Sequence, residues 1–146
     1  MTQLKAVFWD VDGTLADTEM DGHRPAFNRA FKDLDLNIVW DQALYARLLA
    51  IPGGLQRVRV YAESCGIHLS ASQLEAIRDR KRFHYTELAQ SGAIRFRPGI
   101  RRLLALLQEA GIQQWIVTSS GSASVEALLS SAQDVMPMFR GMVTAD

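Results

Sequence analysis

Two aspartates spaced two residues apart, Asp10 and Asp12, follow the apolar run Ala6-Val7-Phe8-Trp9 and lead into Gly13-Thr14. Carboxylates at the end of a buried strand are costly unless a cation or hydrogen-bond donors compensate them. The pair therefore has two readings. It can be a site that holds a cation, or a turn whose Asp side chains satisfy loop amides, as Asp-Gly commonly does. A second polar pair, Thr118-Ser119, follows the apolar run Trp115-Ile116-Val117. A Thr at a strand end is often simply a good β residue, so its weight comes from its place after the aspartates.

The elements that must position these groups follow from hydrophobic period and turn chemistry. Leu4 to Trp9 predicts a strand buried on both faces, and Asp10 to Thr14 a turn. From Arg24 onward, Ala26, Phe27, Ala30, Phe31 and Leu34 follow helical spacing, with Pro25 tolerated in the first turn. Asp41 predicts a helix cap ahead of Leu44, Leu48 and Leu49, and Pro52-Gly53-Gly54 a stop before the stripe Val58, Tyr61, Ala62, Cys65. Ser70 with Gln73, or Ser72 with Glu75, predicts a capping box for a longer helix bearing Leu74, Ile77 and Leu88. Residues 24 to 89 thus read as helical throughout.

Beyond Arg97-Pro98-Gly99, Ile100, Leu103, Leu104 and Leu107 predict a helix ended by Gly111. Ile112 to Thr118 then reads as a strand, residues 119 to 122 as a polar turn, Val125, Leu128 and Leu129 as a helix, and Gly141 to Thr144 as a last strand. The expected fold class is α/β, a parallel-sheet core with an α-helical insertion after its first strand. Ligands of open parallel sheets bind beyond the strands' carboxyl ends, where Asp10, Asp12, Thr118 and Ser119 all belong.

The chain has 146 residues, 48% hydrophobic, with 16 basic and 16 acidic side chains. Zero net charge argues against a general nucleic-acid binder, but the balance is uneven. Residues 1 to 41 carry 4 basic and 8 acidic groups, residues 57 to 102 carry 10 and 4. That polarity suits carboxylates holding a cation beside a basic region that attracts an anion, or simply solvated helix faces. The apolar runs are far short of the ~18 residues of a membrane span. With a single cysteine, Cys65, and no signal segment, a cytoplasmic protein is expected, with Cys65 as a small apolar filler.

The string Phe8-Trp9-Asp10-Val11-Asp12-Gly13-Thr14-Leu15 resembles the first motif of the haloacid dehalogenase superfamily, and Trp115-Ile116-Val117-Thr118 is similar to its second. The resemblance implies a Rossmann-like core with Asp10 as nucleophile and Asp12 as general acid/base. It also implies Mg²⁺ held through the Asp10 carboxylate and the Asp12 carbonyl, with Thr118 and the Ser119 N–H on a phosphoryl group. Asp17-Thr18-Glu19, Asp21 to Arg24, Gly53-Gly54 with Arg57, and Arg95 to Ile100 resemble the helical-cap branch that contains the CbbY-type sugar-phosphate phosphatases. On that likeness residues 1–16 and 93–146 form the core and 17–92 the cap.

The implied activity is Mg²⁺-dependent removal of a phosphate from a small sugar phosphate, xylulose 1,5-bisphosphate in the closest pattern. Glu19 would meet sugar hydroxyls, and His23, Arg24, Gly53, Gly54 and Arg57 would supply a second anion site. Leu55 stands where such caps usually have Lys. The superfamily's third-motif Lys and fourth-motif acids have no counterpart, so a C-terminally truncated chain with an incomplete core and its first strand as an open sheet edge is expected. Alternatives are a β-phosphoglucomutase-like mutase and an inactive fragment acting as a binding module. The expected partner is a small molecule, with no nucleic acid, no membrane and a monomeric state.

Overall fold

The computed structural model describes residues 4–146; the first three residues of the expected core segment lie outside them. Chain order is β1 (Ala6–Trp9), a π-helical turn (Glu19–His23), α1 (Arg24–Asp33), α2 (Gln42–Leu48), α3 (Gly54–Ser64), α4 (Ala71–Gln90), α5 (Ile100–Glu109), β2 (Gln113–Val117), α6 (Ser122–Ser130), a 3₁₀ turn (Met136–Met138) and β3 (Met142–Val143). The chain divides into two compact units, Met1–Gly22 with Thr86–Asp146, and His23–Tyr85.

The first unit is built on a parallel sheet in the order β1-β2-β3. Ala6 pairs with Gln113 and Trp9 with Ile116, and Val117 pairs with Val143. All three strands therefore end on one side, which carries Asp10, Thr118 and Thr144 to a common rim. Both outer strands are shorter than their apolar runs suggest, because pairing begins only where a neighbour lies alongside. β1 is at one margin of the sheet, and Phe8 on it is 68% exposed.

Behind the rim, a buried amide ties three elements together. Trp9 Nε1 donates to Gln114 Oε1 at 3.1 Å, and Gln114 Nε2 donates to the Leu104 carbonyl at 2.9 Å. Gln114 is almost fully buried, and its hydrogen bonds offset a desolvation that would otherwise cost about 1–3 kcal/mol. α5 ends as expected: Gly111 N–H bonds Gln108 O at 3.0 Å and Ile112 N–H bonds Leu107 O at 2.9 Å, the paired C-terminal bonds of a Schellman motif.

The second unit is helical, and its core is aromatic. Phe27 and Phe31 on α1 meet Trp40, which also contacts the rings of Tyr45 and Tyr61. The Asn28 amide clamps the Trp40 backbone from both sides, Nδ2 donating to Trp40 O at 2.9 Å and Oδ1 accepting from Trp40 N at 2.8 Å. The Asp41 cap forms, with Leu44 N–H on Oδ1 at 2.7 Å. Of the two candidate capping boxes the structure uses Ser70 and Gln73, with reciprocal bonds of 2.9 and 3.2 Å.

Cys65 corrects its sequence reading: it is exposed. Val58 and Ala62 are buried on α3, but Cys65 occupies the C-cap, where the helix has already unwound. No described helix is long and apolar enough to cross a membrane.

Candidate active site

The turn after β1 is tightly wound. Gly13, Thr14, Leu15 and Ala16 bond back onto it, with Gly13 N–H on Ala16 O at 2.8 Å and three N–H groups converging on Val11 O. Gly13 takes φ 73° there, a left-handed conformation that glycine adopts without the penalty of a Cβ. The returning chain secures the same turn: Arg97 N–H donates to Leu15 O at 2.9 Å, and Arg97 Nη1 to Gly13 O at 2.5 Å. Arg97 belongs to the motif Arg95 to Ile100, and nothing in that motif marks it as a brace on a turn 84 residues earlier.

Asp10 is exposed at the strand end, with Oδ1 accepting from Val11 N–H at 2.8 Å. Asp12 is half-buried, and each of its carboxylate oxygens has a hydroxyl partner: Thr18 Oγ1 donates to Oδ1 and Ser120 Oγ to Oδ2. Thr18 is fully buried. Neither hydroxyl was singled out by the sequence, since serine and threonine in a turn carry no signal of where they point. A hydroxyl both donates and accepts, so these two can follow Asp12 through carboxylate and carboxylic-acid forms. A fixed N–H donor could not.

Thr118 is buried at the end of β2, with its N–H on Val143 O at 3.0 Å and its Oγ1 accepting from Ser120 N–H at 3.2 Å. That leaves the Thr118 hydroxyl proton able to donate elsewhere. Ser119 is exposed beside it. The structure thus joins Asp12 to the Thr118–Ser120 loop directly, through Ser120. Among the described residues no group of three or more His, Cys, Asp or Glu side chains converges to hold a metal ion.

The other candidates divide between the units. Glu19 opens the π-helical turn, half-buried. In the second unit the His23 ring stacks on Tyr85 with centroids 4.4 Å apart, and Arg24 Nη1 donates to Trp40 O at 3.2 Å. Gly53 is the N-cap of α3 and carries no side-chain cap bond. Gly54 faces Phe27 so closely that a Cβ would meet the ring at 3.0 Å, so packing alone accounts for a glycine at that position.

Arg57 is 8% exposed, with Nε on Leu48 O at 2.9 Å, Nη1 on the Tyr45 hydroxyl at 3.2 Å and Nη2 on Ile51 O at 3.2 Å. The sequence aims this side chain at a phosphate; the structure has all three guanidinium nitrogens satisfying groups around the end of α2. Arg57→Lys is expected to destabilise the chain by about 1–3 kcal/mol, because one ammonium cannot reproduce a three-pronged fork. Thermal unfolding checks this, and an unchanged midpoint with a raised substrate KM would return Arg57 to the binding site.

Comparison with known proteins identifies the family and the fold. A family profile described as haloacid dehalogenase-like hydrolase matches residues 4–146. The plasmid-borne CbbY protein of Cupriavidus necator is 40% identical over 136 residues, covering 88% of this chain and 52% of that protein. The crystal structure of CbbY from Rhodobacter sphaeroides in complex with phosphate superposes with a TM-score of 0.78 at 31% identity, covering 99% of this chain and 64% of that one. A mutant of the same protein in complex with xylulose-(1,5)bisphosphate matches equally well. The chain spans about half the length of the curated relatives it matches. With the family profile covering nearly every residue and the Asp10–Asp12 turn formed at the end of β1, this chain belongs to the haloacid dehalogenase-like hydrolases.

Proposed function

We propose that the protein hydrolyses a phosphate ester of a small sugar, with Asp10 as nucleophile and Asp12 as general acid and base. The observation that carries the reading is the bond from Ser120 to Asp12, which couples a carboxylate at the end of β1 to the donor-rich loop at the end of β2. An Asp10 oxygen attacks phosphorus, the P–O bond to the sugar breaks, and the departing alkoxide takes a proton from Asp12. Water then attacks the aspartyl phosphate, gives its proton to Asp12, and releases inorganic phosphate with Asp10 restored. The Thr118 hydroxyl and the Ser119 N–H would stabilise the charge on the phosphoryl oxygens.

The Asp10 carboxylate and the Asp12 backbone carbonyl would hold Mg²⁺, a cation that favours such oxygen donors and completes its shell with water and phosphate. Bound there, it supplies the positive charge that lets an anionic nucleophile meet an anionic phosphate. Glu19 for the sugar hydroxyls, and His23 with Arg24 for a second anion, are proposed from the sequence motif alone. Xylulose 1,5-bisphosphate is the substrate to try first, since a CbbY relative has been crystallised with that compound.

The test is phosphate release by the protein at its full encoded length with Mg²⁺, from xylulose 1,5-bisphosphate and from sugar monophosphates. The bisphosphate is expected to give a kcat/KM about tenfold or more above the monophosphates, the discrimination of one added charge-assisted contact, and chelation of the metal should stop the reaction. No release from any phosphorylated sugar would overturn the reading.

A further inference from the structure

α6 begins without a cap of its own: its N-cap residue is Gly121, which has no side chain to offer. The missing acceptor comes from another element. Asp146, three residues past β3, accepts from Ser122 N–H through Oδ1 at 2.8 Å and from the Ser122 hydroxyl through Oδ2 at 3.0 Å. Its backbone neighbour completes the connection, with Ala145 N–H donating to Ser120 O at 3.1 Å. Two consecutive residues after β3 therefore grip Ser120 and Ser122. Ser120 in turn bonds Thr118 Oγ1 through its N–H and Asp12 through its hydroxyl.

We propose that Asp146 is a positioning residue for the loop Thr118 to Ser122, holding the donors of that loop in place for a phosphoryl group and for Asp12. The proposal rests on the phosphatase reading above, which assigns that loop its ligand. Ser122 N–H and hydroxyl hold the Asp146 carboxyl below the usual carboxylate range, so it is ionised at neutral pH and acts as a constant acceptor. A carboxylate held against the N-terminus of a helix also meets the positive end of the helix dipole. An ordered loop presents its donors without reorganisation when charge develops on the substrate.

Asp146→Ala and Asp146→Asn separate positioning from simple helix capping. In the alanine variant, KM for the phosphorylated substrate should rise about tenfold, the loss expected when charge-assisted bonds that order a binding loop are removed. Amide hydrogen exchange at Ser120 and Ser122 should quicken by a similar factor. The asparagine variant should recover most but not all of both readouts, because its amide oxygen can accept from Ser122 N–H and its NH₂ can donate to the Ser122 hydroxyl, while the charge on those bonds is lost. An alanine variant with unchanged KM, and kcat reduced only in proportion to its unfolded fraction, would overturn the proposal. Should wild-type protein release no phosphate at all, the phosphatase reading fails on that arm. The exchange arm then decides Asp146: protection lost only around Ser120 and Ser122 supports its hold on the loop, and unchanged protection refutes it.

Discussion

Asp10→Asn is expected to reduce kcat by about 10⁴-fold, equivalent to about 5.5 kcal/mol of lost transition-state stabilisation. The carboxamide cannot displace an alcohol from phosphorus, so the covalent step closes and only uncatalysed attack by water remains. The fold should not register the change. Asp10 is exposed, and the bond its side chain makes among the described residues, Oδ1 accepting from Val11 N–H at 2.8 Å, can pass intact to the asparagine oxygen. Steady-state kinetics beside a thermal melt make the comparison. Full activity in the variant would remove the nucleophile assignment, and loss of activity with a collapsed melting transition would leave it without support. Trapping with beryllium fluoride gives an independent readout, an adduct on the wild-type carboxylate and none on the amide.

Where each carboxylate would sit was legible because it depends on local facts. An apolar run of strand length followed by Asp-x-Asp-Gly puts both acids at a strand end, and the Gly111 stop restarts the chain as β2, which puts Thr118 beside them. The helical caps at Asp41 and Ser70 were legible for the same reason, since each bond spans only three residues. What escaped were contacts across long stretches of chain. Ser120 reaches Asp12 from 108 residues away, and nothing in a serine-rich turn distinguishes the hydroxyl that faces a carboxylate from its neighbours. Arg57 shows the same limit. An arginine after a glycine pair looks like an anion fork, and nothing in the sequence indicates that its three nitrogens also reach Leu48 O, the Tyr45 hydroxyl and Ile51 O. Cys65 had the spacing of a buried residue but stood one position past the last full turn, where helical spacing no longer predicts direction.

Trp40→Ala should remove about 3–5 kcal/mol of stability, the range for deleting a large aromatic side chain from a packed core. Trp40 is fully buried, with the rings of Phe31, Phe27, Tyr45 and Tyr61 at centroid distances of 4.9, 5.2, 5.7 and 5.8 Å. These rings come from α1, α2 and α3, so the cavity would loosen three helices together rather than one. The sequence had given Trp40 no role, because it sits in an irregular stretch between α1 and α2 with no period to mark it as core. Trp40→Phe offers a sharper comparison. Trp40 Nε1 is buried with no hydrogen-bond partner among the described residues, so phenylalanine discards an unsatisfied donor while keeping most of the aromatic contact. The two effects oppose one another, and the phenylalanine variant should lose only about 1–2 kcal/mol. Chemical denaturation followed by circular dichroism reads both variants. Equal losses for alanine and phenylalanine would mean that the indole nitrogen has an acceptor after all, and a negligible loss for alanine would mean that the aromatic cluster does not hold this unit together.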